Sequence, residues 1–494
     1  MVRPTLEEAH AVDVSRYRLI PLSCEMYADM ITPLEVMRIL KGISTHCFIL
    51  ESAEDARNWG RYTFLGFDPK MEVTCREGVM RIVSKPDQPE DAETFTTDNP
   101  HEHITRILDN HVSMRYDYLP SFTGGLVGYF SYDYAKYSDA HLKIDAYDEE
   151  QFNDVDLMLF HNVIAFDHYR HKIVLITNIG TDDLENNYQK GLARLESLKA
   201  LLKTKALKRV EDARITSKFT QLFDEDRYGD MVRQAQERIE AGELSQVVLS
   251  NRFTADFEGS LFDTYRVLRA INPSPYMFYF SGDDVEIAGA SPETLVKLLD
   301  GTLYTFPLAG TRRRGATEEE DQALEVELLA DKKEQAEHNM LVELGISDLS
   351  KVSKFGTVFV EKFQEILRFS HVMHIGSTIR GQIQEGKSGL DALTAVLPAG
   401  TLSGAPKTAA MHTIHELERS RRGIYGGAIG YLDFAGNMDV CIAIRIAYKK
   451  NGKVFVRSGA GIVAESNPAT EYQECLNKAA AVLDALEQSS AGLD

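Results

Sequence analysis

The chain has 494 residues, of which 44% are hydrophobic and 26% are charged, a composition typical of a globular protein with a large core. Its 54 basic and 75 acidic residues give a net charge of −21, which argues against nucleic acid or an anionic membrane surface as a partner. An anionic substrate would also be repelled by this charge, so a site for one must be locally cationic.

The sequence also bears on location. No apolar run is long enough to span a bilayer, and the acidic first residues do not predict a signal segment. Five cysteines without metal-ligand spacing are typical of a reducing compartment. We therefore expect a cytoplasmic protein that has no membrane partner.

The first 215 residues predict an N-terminal block of mixed structure. A helix is predicted over 31–40, with Pro33 near its start. Strands are predicted at 47–52, 62–67, 80–85, 156–160 and 172–177. The polar, basic segment 203–218 predicts the connection to a second block, which covers residues 220–490.

The second block opens with a predicted helix from Tyr228 to Ile239, which Gly242 ends. An apolar strand is predicted over 246–250, and a long helix over 318–344. The last helix is predicted to begin at Pro468, with Ser466 or Asn467 as its cap.

Two predicted helices carry carboxylates on inward or shared faces. Glu337 falls on the apolar stripe of the helix 318–344, and Glu334 shares that line one turn earlier. A buried carboxylate is costly unless it is paired or bound to a metal. The spacing leaves open an ion pair with Lys333 or His338, or a metal site.

On the last helix, Glu471, Glu474 and Lys478 share one stripe. This spacing fits a solvated Glu474–Lys478 pair. It also fits a Mg²⁺ ion held by Glu474 and Glu337 from two helices, since Mg²⁺ commonly takes one or two carboxylates. The sequence pattern alone does not choose between these interpretations.

Other segments carry polar groups that suit an anionic ligand. A predicted strand over 454–458 runs into Gly459, Ala460 and Gly461, whose backbone amides can approach an oxyanion, although a plain turn is the alternative. Arg445 lies in a predicted apolar strand and needs a partner, either a substrate carboxylate or Asp439.

Taken in order, these segments resemble the chorismate-utilising enzymes, and within them the anthranilate synthases. The resemblance is carried by residues 246–250, 291–293, 307–311, 336–338, 400–407, 425–427 and 459–461, with His374, Arg445 and Glu474. It implies an α+β fold in which large antiparallel sheets, arranged like a sandwich, are flanked by helices.

The resemblance also implies a reaction and a site. Chorismate and ammonia would give anthranilate and pyruvate in tryptophan biosynthesis. The implied catalytic residues are Glu293 as general acid, His374 for proton removal, Thr311 and Gln246. The implied chorismate-binding residues are Gly310, Thr311, Tyr425, Arg445, Gly459, Ala460, Gly461 and Lys478. The implied Mg²⁺ ligands are Glu337 and Glu474, with Glu334 nearby.

Regulation and partners follow from the same resemblance. Two segments are similar to those that form the tryptophan feedback site of the family, and they supply Leu50, Ser52, Pro275, Tyr276 and Met277. No cysteine lies in a Gly-x-Cys-x-Gly turn, so we expect ammonia from glutamine to come from a separate amidotransferase subunit in a hetero-oligomer.

Two positions separate the subfamilies. Isochorismate-forming relatives carry Lys at the position of Gln246, and aminodeoxychorismate synthases carry a nucleophilic Lys at the position of Ala309. Two alternatives stay open: an aminodeoxychorismate synthase component, and a non-catalytic homologue that senses tryptophan. The latter is favoured only by the departure from the family pattern at Glu343, Ile346 and Ser347.

Overall fold

A computed structural model describes residues 2–53, 59–89, 91–139, 142, 146–204, 210–368 and 372–493. Part of the predicted connection, residues 205–209, lies outside this range. All the site residues predicted above lie within it.

The described chain contains 26 strands. In chain order they are β1 (Val2–Arg3), β2 (Leu19–Tyr27), β3 (Cys47–Glu51), β4 (Tyr62–Phe67), β5 (Met71–Arg76), β6 (Val79–Ser84), β7 (Ala92–Thr96), β8 (Gly125–Phe130), β9 (Val155–Phe160), β10 (Asn162–Asp167), β11 (Lys172–Gly180), β12 (Arg214–Ile215), β13 (Thr220–Gln221), β14 (Gln246–Glu258), β15 (Tyr276–Ser281), β16 (Glu286–Ser291), β17 (Thr294–Leu299), β18 (Thr302–Thr305), β19 (Leu308–Arg313), β20 (Phe359–Arg368), β21 (Val372–Gln382), β22 (Gly404–Ala405), β23 (Ala428–Asp433), β24 (Met438–Ile442), β25 (Ile446–Lys450) and β26 (Lys453–Ile462).

The helices are α1 (Leu6–His10), α2 (Pro33–Lys41), α3 (Pro100–Asp109), α4 (Leu184–Thr204), α5 (Glu225–Glu240), α6 (Phe262–Ile271), α7 (Glu318–Ala330), α8 (Lys332–Ser350), α9 (Gly389–Val396), α10 (Lys407–Glu418) and α11 (Pro468–Ala491). Three short 3₁₀ helices occupy Trp59–Arg61, Tyr132–Tyr137 and Gly400–Leu402.

The strands form two large sheets whose pairings are antiparallel. The first sheet runs β1-β2-β11-β10-β4-β3-β15-β16-β25-β26-β14-β12, with β13 and β22 also on β14. The second runs β19-β21-β18-β17-β24-β23-β8-β9-β5-β6-β7, with β20 also on β21. Each sheet contains strands from both sides of residue 215, so the N-terminal and C-terminal blocks are joined through shared sheets.

The apolar residues divide into three main layers. One cluster packs α2, α4, α6 and α11 on the outer face of the first sheet. Another packs α3, α8 and α9 on the second sheet. A third, rich in aromatic rings such as Phe48, Phe160 and Tyr431, fills the space between the sheets. The result is a sandwich with helices outside, which confirms the α+β prediction.

Local predictions are confirmed for most elements. Thr32 caps α2 with Pro33 in its first turn, and Asn467 caps α11 through the backbone amides of Ala469 and Thr470. The predicted strands at 47–52, 62–67, 80–85, 156–160 and 172–177 are all present within a few residues. The helix predicted from Tyr228 is α5.

Two local predictions are wrong. The helix predicted over 318–344 is divided at Asp331, whose backbone is extended. The side chain of Asp331 caps α8 by accepting hydrogen bonds from the backbone amides of Lys333 and Glu334. Arg445 does not lie in a strand, because it falls between β24 and β25 with a left-handed backbone at φ 54°. Within the described residues, we find no helix that combines the length and apolar character needed to cross a membrane.

Candidate active site

The glycine-rich segment 459–461 lies in β26, where one edge of the strand is open. Residues 459–461 pair with β14 on one side. On the other side, the pairing of β25 with β26 ends at Val456, so no described strand covers the edge of 459–461. The segment is therefore part of a strand and not the plain turn given as the alternative, and its free edge leaves backbone groups available to a ligand.

The side chains of two predicted site residues pack closely against these glycines. A Cβ atom added to Gly461 would stand 2.8 Å from Nε2 of Gln246, and one added to Gly459 would stand 3.0 Å from the hydroxyl of Tyr425. Only glycine leaves room for both side chains at these distances. Gln246 and Tyr425 therefore flank the open strand edge.

Arg445 lies beside the same edge, just before β25. Its side chain is half-buried and has no hydrogen-bond or ion-pair partner among the described residues. Asp439, its alternative partner, instead pairs with Lys297 at 2.8 Å. Burial lowers the pKa of Arg445, while Tyr425 and Glu474 oppose that shift. A guanidinium in this state is suited to an anionic ligand.

Glu293 is a half-buried residue between β16 and β17. Burial raises its pKa from 4.5 to about 7, and Thr401 and Lys478 act in the opposite direction. The hydroxyl of Thr401 donates to Oε1 of Glu293 at 3.0 Å. Glu293 can therefore hold a proton near neutral pH and still release it.

His374 is a neutral imidazole with a defined tautomer. Burial lowers its pKa below 6.5. Its Nδ1 lies 2.9 Å from the carbonyl oxygen of Gly310 and 3.1 Å from the hydroxyl of Thr311. A carbonyl only accepts, so Nδ1 carries the proton and Nε2 is the basic nitrogen.

Gly310 fits this position because its backbone is left-handed, with φ +64°. A Cβ atom there would lie 3.2 Å from Oε2 of Glu334. The contact places the Gly310–Thr311 segment of β19 next to the carboxylates of α8.

Two carboxylates of α8, Glu334 and Glu337, and Glu474 of α11 are close enough to influence one another's charge. Burial raises the pKa of Glu337, and the charges of Glu334 and Glu474 raise it further. Glu337 forms no ion pair with another described residue, and His338 bonds to Ser377 instead. Arg312 lies 3.8 Å from Glu334 and compensates it in part.

The alternative Glu474–Lys478 pair is present, with Nζ of Lys478 2.6 Å from Oε1 of Glu474 and 3.2 Å from the carbonyl oxygen of Gly459. Among the described residues, no three His, Cys, Asp or Glu side chains already stand as a metal-binding group. An ion here would rely on two carboxylates with water or substrate, a donor set that fits Mg²⁺.

The residues that depart from the family pattern lie in the second half of α8, after Glu337. Glu343 and Ser347 are exposed, and Ile346 packs against the core of the second sheet. Asp348 pairs with the half-buried Lys407 at 2.9 Å. The departure leaves Glu337 itself in place in the first half of α8.

The five residues of the predicted tryptophan site are brought together elsewhere. Leu50, Ser52, Pro275, Tyr276 and Met277 line a cavity of about 1560 Å³ between the two sheets. They meet because β3 pairs with β15, with Leu50 opposite Phe278. The cavity exceeds the usual volume of a small-molecule site, so it has room for an amino acid.

The sequence interpretation missed a buried ion pair that supports the site. Arg422 donates to Glu418 and to the carbonyl oxygens of Leu402 and Val248, at 2.5–2.6 Å. It thereby ties the turn that carries Thr401 to β14. The i,i+4 spacing of Glu418 and Arg422 allowed an ion pair, but the sequence did not show that the pair is buried or that Arg422 also reaches β14.

Comparison with known proteins agrees with this geometry. The family described as chorismate binding enzyme matches residues 45–484. The chain belongs to the chorismate-binding enzyme family. It is 41% identical to anthranilate synthase component 1 of Acetivibrio thermocellus, over 99% of both chains.

Two solved structures are also similar to this chain. Anthranilate synthase component I from Streptococcus pneumoniae TIGR4 has a TM-score of 0.74 and 36% identity, covering 85% of this chain and 92% of that one. MenF, the menaquinone-specific isochorismate synthase of Escherichia coli, has a TM-score of 0.71 at 20% identity, covering 97% and 98%. The second likeness concerns the fold alone.

Proposed function

We propose that the chain is the large subunit of an anthranilate synthase, which converts chorismate and ammonia to anthranilate, pyruvate and water. The observation that carries the proposal is Glu293, a half-buried carboxyl group that accepts the Thr401 hydroxyl at 3.0 Å and whose pKa burial raises to about 7. It stands in a site that also holds Arg445, which has no ion-pair partner within the described part of the chain, and the neutral imidazole of His374. The names of the relatives at about 41% identity support the same reaction.

Glu293 acts as the general acid. Ammonia adds to the ring as the 4-hydroxyl group leaves, and the leaving oxygen needs a proton to depart as water. Because Thr401 occupies Oε1 of Glu293, Oε2 is the oxygen that presents the proton. The buried position keeps the acid protonated until the substrate takes that proton.

His374 acts as the base in the second half of the reaction. The ring must lose a proton as pyruvate leaves, so that the aromatic product forms. The carbonyl oxygen of Gly310 holds the proton on Nδ1 and turns Nε2 into the acceptor. The neutral state that burial favours is the one that can accept a proton.

Substrate anions are held by Arg445, Lys478 and the open edge of β26. A guanidinium fork matches a carboxylate with two parallel hydrogen bonds. Glu337 and Glu474 would hold Mg²⁺, with Glu334 beside them, and the ion when bound would supply positive charge to a substrate carboxylate. Gln246 is neutral and cannot activate water as a base, which favours ammonia as the nucleophile.

Two further parts of the proposal concern partners and control. The name component 1 of the relatives supports a second component, and we propose a glutamine amidotransferase subunit that delivers ammonia. We also propose that L-tryptophan inhibits the enzyme from the cavity lined by Ser52 and Tyr276. The cavity lies between the sheets, away from the glycine-rich edge of β26.

The test mixes the purified chain with chorismate, Mg²⁺ and an ammonium salt and follows anthranilate fluorescence. We expect anthranilate from the wild type and at least about 100-fold less from Glu293→Gln. Glu487→Gln, at an exposed position on α11, is the matched control and should keep full activity. An absence of anthranilate from the wild type would contradict the proposal, and so would a Glu293→Gln variant with normal turnover.

A further inference from the structure

Tyr276 holds both ends of the short segment that carries Glu293. Its backbone stands opposite Ser291, because Tyr276 and Ser291 are partners in the β15–β16 pairing. Its hydroxyl group reaches past Glu293 and lies 2.9 Å from Oγ1 of Thr294. Only Pro292 and Glu293 separate the two points of contact.

The direction of these hydrogen bonds is determined by a third group. The hydroxyl of Tyr276 also lies 2.8 Å from Oδ1 of Asp439, and a carboxylate that pairs with Lys297 can only accept. Tyr276 therefore donates its single proton to Asp439. Thr294 must then donate to the Tyr276 oxygen, so the contact has one defined geometry.

The backbone of Glu293 has little freedom to absorb a movement of Tyr276. Its carbonyl oxygen accepts the amide of Ile442 at 3.0 Å. The hydroxyl of Ser291 donates to the carbonyl oxygen of the same Ile442 at 2.7 Å. Since both flanks are bonded, a displaced Tyr276 would reorient Glu293 with respect to Thr401.

Tyr276 is also part of the cavity wall, together with Asp439 and Lys297. We propose that the Tyr276–Thr294 hydrogen bond transmits occupation of the cavity between the sheets to the catalytic carboxyl group of Glu293. This inference rests on the proposed inhibition by tryptophan. It adds the physical link by which a ligand in the cavity changes a group that lies outside it.

The test separates binding of tryptophan from its effect on turnover. Thr294→Val keeps the shape of the side chain and removes the hydroxyl group. Calorimetry gives the Kd for tryptophan, and steady-state kinetics with and without saturating tryptophan gives the coupling factor, which for such sites is about 5- to 150-fold. We expect a Kd within about threefold of the wild type and a coupling factor reduced at least about threefold.

Two variants serve as controls. Thr294→Ser retains the hydroxyl group and should couple as the wild type does. Ser121→Ala removes a 3.2 Å hydrogen bond to Tyr431, another tyrosine of the cavity wall, and should leave coupling at saturating tryptophan unchanged. If Thr294→Val does not fold, Tyr276→Phe removes this hydrogen bond together with the one to Asp439, and its coupling factor counts only if its Kd for tryptophan stays near that of the wild type, because Tyr276 lines the cavity.

A coupling factor in Thr294→Val equal to that of the wild type would overturn the inference, while inhibition by tryptophan would stand. Loss of tryptophan binding in Thr294→Val would overturn it as well, because Thr294 would then build the cavity instead of linking it to Glu293. If calorimetry shows that the wild type does not bind tryptophan, the proposed regulation fails first, and this inference fails with it.

Discussion

Replacing Glu293 by glutamine should change stability and activity in opposite directions. The folded-state pKa of Glu293 is raised above its ordinary value by burial, so folding favours the protonated form. The contribution of this carboxyl group to stability is complete below pH 4.5. It is lost as the pH rises through about 7, because the carboxylate then has to be buried with its charge.

The size of this effect follows from the two pKa values. The gap between 4.5 and about 7 corresponds to about 3 kcal/mol, at about 1.4 kcal/mol per pKa unit. Glutamine has no charge to bury and keeps a carbonyl oxygen that can accept from Thr401. Relative to wild type, Glu293→Gln should therefore gain up to about 3 kcal/mol between pH 5 and pH 8.

Urea unfolding of both proteins at pH 5 and at pH 8 measures this difference, and the anthranilate assay measures the loss of the general acid, about 10²- to 10⁴-fold. Comparing the two pH values removes any constant effect of the amide. Glu487→Gln, at an exposed site, should show no such pH-dependent gain. If Glu293→Gln gains nothing between pH 5 and pH 8, Glu293 is not a carboxyl group held neutral by burial.

The remaining predictions concern the metal, the anion site, the nitrogen source and the inhibitor. Glu337→Gln and Glu474→Gln should each lower activity about 10- to 100-fold, with a higher Mg²⁺ requirement in a titration, and full activity of both at low Mg²⁺ would exclude them as ligands. Arg445→Lys should raise the KM for chorismate about 10-fold or more, since the bidentate fork is lost, and an unchanged KM would refute the assignment. The isolated chain should produce anthranilate from ammonium but not from glutamine, so turnover of glutamine by the pure chain would argue against a separate amidotransferase. Ser52→Phe should fill part of the cavity and raise the tryptophan concentration for half-inhibition, and equal inhibition of both proteins would place the inhibitor elsewhere.

Local structure could be predicted wherever one pattern dominated the segment. Apolar spacing and Pro33 predict α2, and Pro468 after a capping residue predicts the start of α11, because helix termini are chosen by residues within a few positions. The break at Asp331 was missed because helical residues continue on both sides of it. Only the side chain of Asp331, turned back onto the first amides of α8, shows that one helix ends and another begins.

The site could be predicted only in part from spacing. The stripe on α8 indicated Glu337, and the stripe on α11 indicated Glu474. Whether the two carboxylates, which are 137 residues apart in sequence, come near one another depends on how their helices pack against the sheets. Their roles came from the family resemblance. Sequence periodicity did not indicate the contact of Thr401 with Glu293 or the left-handed backbone of Arg445. Both depend on loops whose shape is determined by tertiary contacts.

The charge of the protein explains why Arg445 matters. The net charge of −21 supplies many carboxylates, and the buried arginines Arg252 and Arg422 each pair with a glutamate. Arg445 has no such partner among the described residues, although burial makes its charge costly and lowers its pKa. Its position between β24 and β25, beside the open edge of β26, keeps the intramolecular carboxylates beyond ion-pair distance. A half-buried cation of this kind is stabilised when an anion binds beside it. Because a neutral ligand would not provide this stabilisation, the unpaired Arg445 favours an anionic substrate.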